Sequence, residues 1–309
     1  MREATGRGWQ TERVSTLHEP VLGWYDAHRR DLPWRRSDAS AWSVMVSEFM
    51  LQQTPVARAL PVHAAWLQQW PTAADLADAP VGEAVRAWGR LGYPRRALRL
   101  HAAATVIRDV HGGEVPADVD TLRSLPGVGD YTAAAIASFA FAQRHVVLDT
   151  NVRRVLSRLC SGQEHPPTAV RTSERRLAES LLPDDPAVAA RWAVAVMELG
   201  ALVCTAASPR CAVCPVAASC AWRLAGKPAH DGPPRRVQTW GGTDRQCRGR
   251  LLAVLRERDE PVPRADLESA WADAAQRERC LDTLVSDGLV EPLAGSAFAL
   301  PGTAPRFPA

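Results

Sequence analysis

Four of the chain's seven cysteines fall within 17 residues, as Cys204-x6-Cys211-x2-Cys214-x5-Cys220. Thiols crowded into one short segment serve an intracellular protein as metal ligands rather than as disulfide partners. The segment is therefore expected to wrap a single metal centre. Tetrahedral zinc and a [4Fe–4S] cluster are both open to four thiolates, and the spacing does not choose between them. Cys160, Cys247 and Cys280 are scattered. At roughly 150 residues per domain, the 309 residues make about two domains. No run approaches about 18 uncharged apolar residues, the length that crosses a bilayer, and Met1–Arg7 carries no apolar signal core. No membrane association is expected, and a cytoplasmic location is.

Breaks at Pro and Gly, with apolar residues recurring every three or four positions, make residues 16–225 a helical core. Residues 1–15 read as a polar tail. The stretch 226–246, with Pro233-Pro234 and Gly241-Gly242, reads as a linker. Residues 247–300 give three helices followed by two short strands around Ala294-Gly295-Ser296, the order of a small winged-helix-like module, and 301–309 form a tail. The fold class is mainly α. Of 37 basic residues only Lys227 is a lysine, which leaves almost no amine chemistry and favours bidentate phosphate contact through arginine.

Residues 118–139 hold two helices joined by Leu125-Pro126-Gly127-Val128-Gly129. Two glycines around one small residue let the backbone turn sharply and approach another group closely. The turn opens a helix, whose first amides and positive dipole end favour an anion such as a DNA phosphate. A plain helical hairpin, tight only for packing, would use the same glycines. The whole pentapeptide between two helices resembles the helix-hairpin-helix motif of DNA-repair proteins.

Two carboxylates stand out. Glu48 lies among Val44, Met45, Val46, Phe49, Met50 and Leu51 in a helix capped by Ser40 and ended before Pro55. An acid there is either on a polar helix edge or buried. If buried, it loses hydration, its pKa rises, and it can donate a proton to a leaving group. Asp149 follows the apolar run Val146-Val147-Leu148 and precedes a helix, the place of an N-cap. A capping carboxylate is held rigidly and is expected to stay ionised under the helix amides, which suits it to stabilising a nearby cation.

Taken together, Ser47-Glu48-Phe49-Met50-Leu51-Gln52-Gln53-Thr54, Leu91-Gly92-Tyr93, the hairpin, Leu148-Asp149-Thr150-Asn151-Val152 and Met197-Glu198-Leu199-Gly200-Ala201 resemble the MutY-type adenine DNA glycosylases of the endonuclease III superfamily. The resemblance spans about residues 16–225. It implies a helix-hairpin-helix glycosylase fold in which 16–35 and 146–225 form an iron–sulfur subdomain and 36–145 a six-helix subdomain. It also decides the metal, one [4Fe–4S] cluster on Cys204, Cys211, Cys214 and Cys220. The implied partner is double-stranded DNA containing adenine opposite 8-oxoguanine or guanine, bound by a monomer. Glu48 matches the general acid that protonates adenine, and Asp149 the carboxylate that stabilises the sugar cation. Tyr131 and Asn151 match positions that hold the sugar and the attacking water. Arg30, Trp34, Leu51, Val56 and Glu198 match contacts to the flipped adenine. Gln53 and Tyr93 match side chains wedged into the duplex, Thr54 a contact to the opposite base, and Gly127, Val128 and Gly129 the DNA backbone contact.

Strand-cleaving relatives carry a lysine nucleophile where this chain has Tyr131, so a pyrimidine-lesion glycosylase with lyase activity is the weaker alternative. A non-enzymatic iron–sulfur regulator would leave Glu48 and Asp149 without a role. The usual family member has a Nudix-like C-terminal domain, for which residues 247–300 are too short and wrongly ordered.

Overall fold

The computed structural model describes residues 6–230, 232 and 241–303, with backbone alone for 6–15. Residues 1–5 of the expected N-terminal tail, 231 and 233–240 of the linker, and 304–309 of the C-terminal tail lie outside the described residues. The chain is helical apart from one small sheet. In order, it forms α1 (Gly6–His28), α2 (Ala41–Leu51), α3 (Val56–Gln69), α4 (Ala73–Asp78), α5 (Val81–Ala87), α6 (Arg95–Val110), α7 (Val119–Ser124), α8 (Asp130–Phe141), α9 (Thr150–Ser161), α10 (Thr172–Ser180), α11 (Pro186–Leu202), α12 (Ala221–Leu224) and α13 (Asp244–Arg256). Then follow β1 (Val262–Pro263), α14 (Arg264–Glu268), α15 (Ala274–Ser286), β2 (Glu291–Leu293) and β3 (Ala297–Ala299). The stretch expected as a polar tail is thus helical from Gly6 onward. None of the described helices is long and apolar enough to cross a membrane.

Two compact units share these elements. The first comprises residues 1–39, 117–123 and 129–234, and the second 40–116, 124–128 and 235–309. In the first unit, Leu17, Val21 and Tyr25 of α1, Val152, Val155, Leu156 and Leu159 of α9, and Trp192, Ala195, Val196 and Leu199 of α11 form one core. Their three- and four-residue spacing lines one face of each helix. Asp185 caps α11, accepting from the Val188 amide at 2.9 Å, and Pro186 occupies the first helical position, where no amide bond is lost. Ala134 and Ala135 of α8 pack on Val147 and Ala193. That small-residue contact places α8 in this unit, not in the 36–145 subdomain expected from the sequence.

The second unit centres on α2, where every residue from Trp42 to Met50 is buried, and on Trp66, whose ring meets Trp70 at 4.7 Å and Trp88 at 5.7 Å between centroids. The C-terminal elements belong to this unit. Their sheet runs β1-β3-β2, all antiparallel, with Phe298 opposite Val262 on one side and Pro292 on the other. The sequence pattern missed β1, which is two residues long and includes a proline. These elements do not hang from a tether. Arg86 donates to the carbonyls of Arg256 at 2.5 Å and Arg258 at 2.9 Å, Arg256 Nε to Val85 O at 2.9 Å, and Gly82 N to Pro301 O at 2.8 Å. A Cβ on Gly82 would stand 2.7 Å from the backbone oxygen of Pro301, so only glycine admits this approach.

Candidate active site and metal loop

Asp149 is the N-cap of α9. Its Oδ1 accepts from the Val152 amide at 2.6 Å and its Oδ2 from Asn151 Nδ2 at 2.8 Å. Asn151 in turn accepts from Arg154 at 2.8 Å, and Arg154 also donates to Gly200 O at 2.7 Å and Cys204 O at 2.8 Å. The carboxylate is therefore fixed at both oxygens. The direction of its pKa is opposite to that expected from the cap alone. Burial raises the pKa above the ordinary aspartate value and outweighs the Val152 amide, Asn151 and the Arg154 charge, which lower it. The close approach of α11 to this turn depends on Gly200, where a Cβ would lie 2.7 Å from that of Asn151. Tyr131 projects from α8 in the same unit, half-buried against the cluster of Ala134, Ala135, Val147 and Ala193.

Glu198 on α11 is wholly buried. It accepts from Arg30 through the backbone amide at 3.0 Å, Nε at 2.8 Å and a terminal nitrogen at 2.7 Å, and from Arg35 at 2.7 Å. Sequence reasoning named Arg30 and Glu198 as positions of one pocket without pairing them, and it overlooked Arg35, which lies in a short 3₁₀ turn with the buried Trp34. Burial alone would raise the Glu198 pKa, but the Arg30 hydrogen bonds and the Arg35 charge hold it at about 2. Because the folded value lies below the ordinary 4.5, the stabilisation is full above that pH and is lost as pH falls toward 2. Glu198→Gln leaves two guanidinium groups facing a neutral amide and should cost about 3 kcal/mol, the lower end for a broken buried ion pair. Denaturant unfolding at pH 7 measures this, and an unchanged midpoint would refute it.

The second unit carries the other candidates. Glu48, on α2, is 6% exposed, not on a polar edge. Ser40 caps this helix, accepting from the Ser43 amide at 3.1 Å. Leu51 and Val56 are half-buried at the facing ends of α2 and α3, while Gln53 and Tyr93 are exposed. Both exposed residues have left-handed backbones, with φ of 54° and 46°, a conformation that non-glycine residues rarely adopt. Thr54 is buried, donating to Leu91 O at 3.2 Å or Gln52 O at 3.3 Å and accepting from Arg96 at 3.0 Å. Its hydroxyl, expected to meet the base opposite adenine, is thus engaged within the protein. Gly127 has φ of 80°, and a Cβ there would lie 2.7 Å from that of Arg99, so glycine is required. Val128 closes the turn by donating to Leu125 O at 3.1 Å. Gly129, the N-cap of α8, would have nothing within 4 Å of an added Cβ.

Cys204, Cys211, Cys214 and Cys220 are each half-buried in the loop between α11 and α12. Among the described residues no three His, Cys, Asp or Glu side chains stand as they would around a metal ion. The thiols nevertheless lie within electrostatic range of one another. Burial pushes Cys214 up to about 11, and the charges of Cys204, Cys220 and Cys211 add to the rise. Burial also raises Cys204, opposed by Arg158, which donates to its sulfur at 3.5 Å. Four soft thiol donors with a buried arginine beside them suit a thiolate-bound metal centre whose negative charge the arginine offsets. Arg210 donates to Leu202 O within the protein.

A family model described as HhH-GPD superfamily base excision DNA repair protein matches residues 46–180. An adenine DNA glycosylase from Mycolicibacterium smegmatis is 54% identical over 283 residues, covering 91% of this chain and 95% of that protein. The chain belongs to the adenine DNA glycosylase family. It is a DNA N-glycosylase, and DNA is its binding partner. An adenine DNA glycosylase from Homo sapiens is 44% identical over 216 residues, which cover 67% of this chain and 39% of the human protein. The mycobacterial match thus extends into the C-terminal elements, whereas the human match leaves a third of this family member unaligned. The structure of a thermostable thymine-DNA glycosylase aligns with a TM-score of 0.63 at 24% identity, over 70% of this chain and 98% of that one. A non-covalent endonuclease III–DNA complex aligns with a TM-score of 0.59 at 20% identity, over the same shares. Both likenesses establish the mainly helical HhH-GPD fold.

Proposed function

We propose that this adenine DNA glycosylase family member excises adenine mispaired with 8-oxoguanine or guanine and leaves an abasic site. The observation that carries this reading is two carboxylates, Glu48 buried in a helix whose neighbouring residues are also buried and Asp149 half-buried and fixed at both oxygens, in a chain of this family. Adenine must leave the base stack before it can react. Glu48 donates a proton to adenine N7, the N-glycosidic bond breaks, and its electron pair departs with the neutral base. The sugar is left as an oxocarbenium-like cation, which ionised Asp149 stabilises, and water adds to it, giving up a proton to the Glu48 carboxylate, with Tyr131 and Asn151 holding sugar and water. Arg30, Trp34, Leu51 and Val56 contact the extruded base, with Glu198 fixing Arg30 from within the protein, and Gln53 and Tyr93 enter the gap it leaves. Thr54 shapes the turn facing the opposite base, and Gly127 to Gly129 accept a phosphate. A labelled duplex with adenine opposite 8-oxoguanine tests this. Cleavage is expected only after alkali. Cleavage without alkali would favour a lyase, and no cleavage at all would refute excision.

Tyr131 gives a second check. The wild type should form no borohydride-trapped complex with DNA, and Tyr131→Lys should gain weak trapping, because an amine then replaces the phenol near the sugar. Efficient trapping of the wild type would refute the monofunctional reading.

The same proposal assigns one [4Fe–4S] cluster to Cys204, Cys211, Cys214 and Cys220, where it supplies iron–thiolate bonds that close the loop. Purified protein should be brown, with broad absorbance near the blue edge of the visible and about four irons per chain. Colourless protein with one zinc per chain would overturn this. The C-terminal elements read as a winged-helix module, and the enzyme as a cytoplasmic monomer.

A further inference from the structure

Arg96 lies in the first turn of α6 and is buried to 6% exposure. One terminal nitrogen donates to the carbonyls of Phe49 at 2.8 Å, Met50 at 3.1 Å and Gln52 at 2.6 Å. The other donates to Thr54 Oγ1 at 3.0 Å and Gly92 O at 3.1 Å. The guanidinium therefore joins the last turn of α2 and the Gln52–Thr54 turn to the Gly92–Tyr93 turn. It also lies 5.2 Å from the Trp88 ring centroid and 5.6 Å from that of Tyr93. Trp88 Nε1 donates to Gly92 O at 3.0 Å, so the second turn is held from both sides.

The two residues that these turns present, Gln53 and Tyr93, are exposed and left-handed. A glutamine and a tyrosine gain nothing intrinsic from that conformation. Such strain persists only where the surroundings over-determine it, and it gathers at functional positions. Here Arg96 is the over-determining group, since its hydrogen bonds end on carbonyls and a hydroxyl immediately beside both strained residues. It does so at a cost. Burial lowers its pKa to about 10, its Nε has no hydrogen-bond partner, and no ion pair of it occurs among the described residues.

We propose that Arg96 is a positioning residue that holds Gln53 and Tyr93 together in their strained, outward-facing conformations, and that discrimination of mispaired from matched DNA depends on this clamp. The inference rests on the reading of Gln53 and Tyr93 as residues that enter the duplex. Lysine keeps the charge of Arg96 but lacks the planar fork that serves both turns at once.

The test uses the full chain with Arg96→Lys, Tyr93→Ala, Gln53→Ala and the Arg96→Lys/Tyr93→Ala double variant. Affinity is measured for duplexes with adenine opposite 8-oxoguanine and opposite thymine, with 2-aminopurine beside the target adenine to report unstacking. Arg96→Lys is expected to lose about tenfold of the preference for the mispair, the scale set by releasing a left-handed non-glycine residue. Affinity for the matched duplex stays as in wild type, the 2-aminopurine signal falls, and adding Tyr93→Ala brings little further loss. Wild-type preference and signal in Arg96→Lys would overturn the proposal, as would equal loss on both duplexes, which marks a merely structural role. If Arg96→Lys does not fold, Thr54→Val removes one acceptor of the clamp while keeping the cation. It should then show a smaller loss of preference in the same direction, and no loss overturns the proposal. If Tyr93→Ala and Gln53→Ala keep full preference, the duplex-entry reading fails and the proposal with it. If they lose it and Arg96→Lys does not, only the role of Arg96 fails.

Discussion

Glu48→Gln should remain folded, bind a mispaired duplex nearly as well as the wild type, and excise adenine more slowly by at least about 10²–10⁴-fold, the usual contribution of a general acid. The substitution keeps size and shape in a helix that is buried from Trp42 to Met50. What it removes is the proton. Without protonation the adenine anion is a poor leaving group, so bond cleavage slows while the interactions that hold the duplex are untouched. Single-turnover kinetics at saturating enzyme separate the two effects. Turnover near the wild-type rate would sink the assignment, and an equal fall in affinity and rate would mean that the variant had damaged the site instead.

Asp149→Asn should be comparably severe for excision and yet should not destabilise the protein. Asparagine caps helices about as well as aspartate, so the bond from the Val152 amide survives, and only the bond that Asn151 donates to the second oxygen is lost. The charge does not. Because the folded pKa of Asp149 lies above its ordinary value, ionising it costs stability, and that cost grows as pH rises through the interval between the two values. That cost falls on the wild type and not on the asparagine variant. Melting at pH 7 should therefore show the variant at least as stable as the wild type, with excision reduced by orders of magnitude. The same shift places the acid limb of the pH–rate profile above the ordinary aspartate range, because activity requires the ionised form. A variant that is both inactive and clearly less stable would show that the carboxylate serves the cap alone.

Local signals in the chain carried much of this structure. The Ser40 cap and the apolar run before Pro55 mark α2, Asp149 marks the start of α9, and the glycines at 127 and 129 bracket the turn before α8. Each rests on physics confined to a few neighbouring residues. What stayed hidden was set by partners far along the sequence. Arg35 joins Glu198 across 163 positions. Arg96 looks like any surface arginine of α6 until the carbonyls of Phe49, Met50 and Gln52 close around it. The left-handed φ at Gln53 and Tyr93 has no glycine to announce it. Asp149 was expected to stay easily ionised because its amide donors are local and visible, whereas the burial that raises its pKa is contributed by the folded environment.

Neither compact unit is a continuous piece of chain, and this bears on how the enzyme is made. A ribosome delivers residues 40–116 long before residues 235–309, although they belong to one unit, and Gly82 must wait for Pro301 to emerge before its amide finds its partner. The other unit likewise opens with the first 39 residues and is completed only by residues 129–234. Domain-by-domain folding during synthesis is the usual protection of long chains against misassembly, and this topology forgoes it. Contacts of such separation make folding slow, and a nascent chain cut short near its end lacks the segment that docks against Gly82 and Arg86. Synthesis rate, chaperone supply and premature termination should therefore govern the yield of active enzyme more strongly than surface substitutions do.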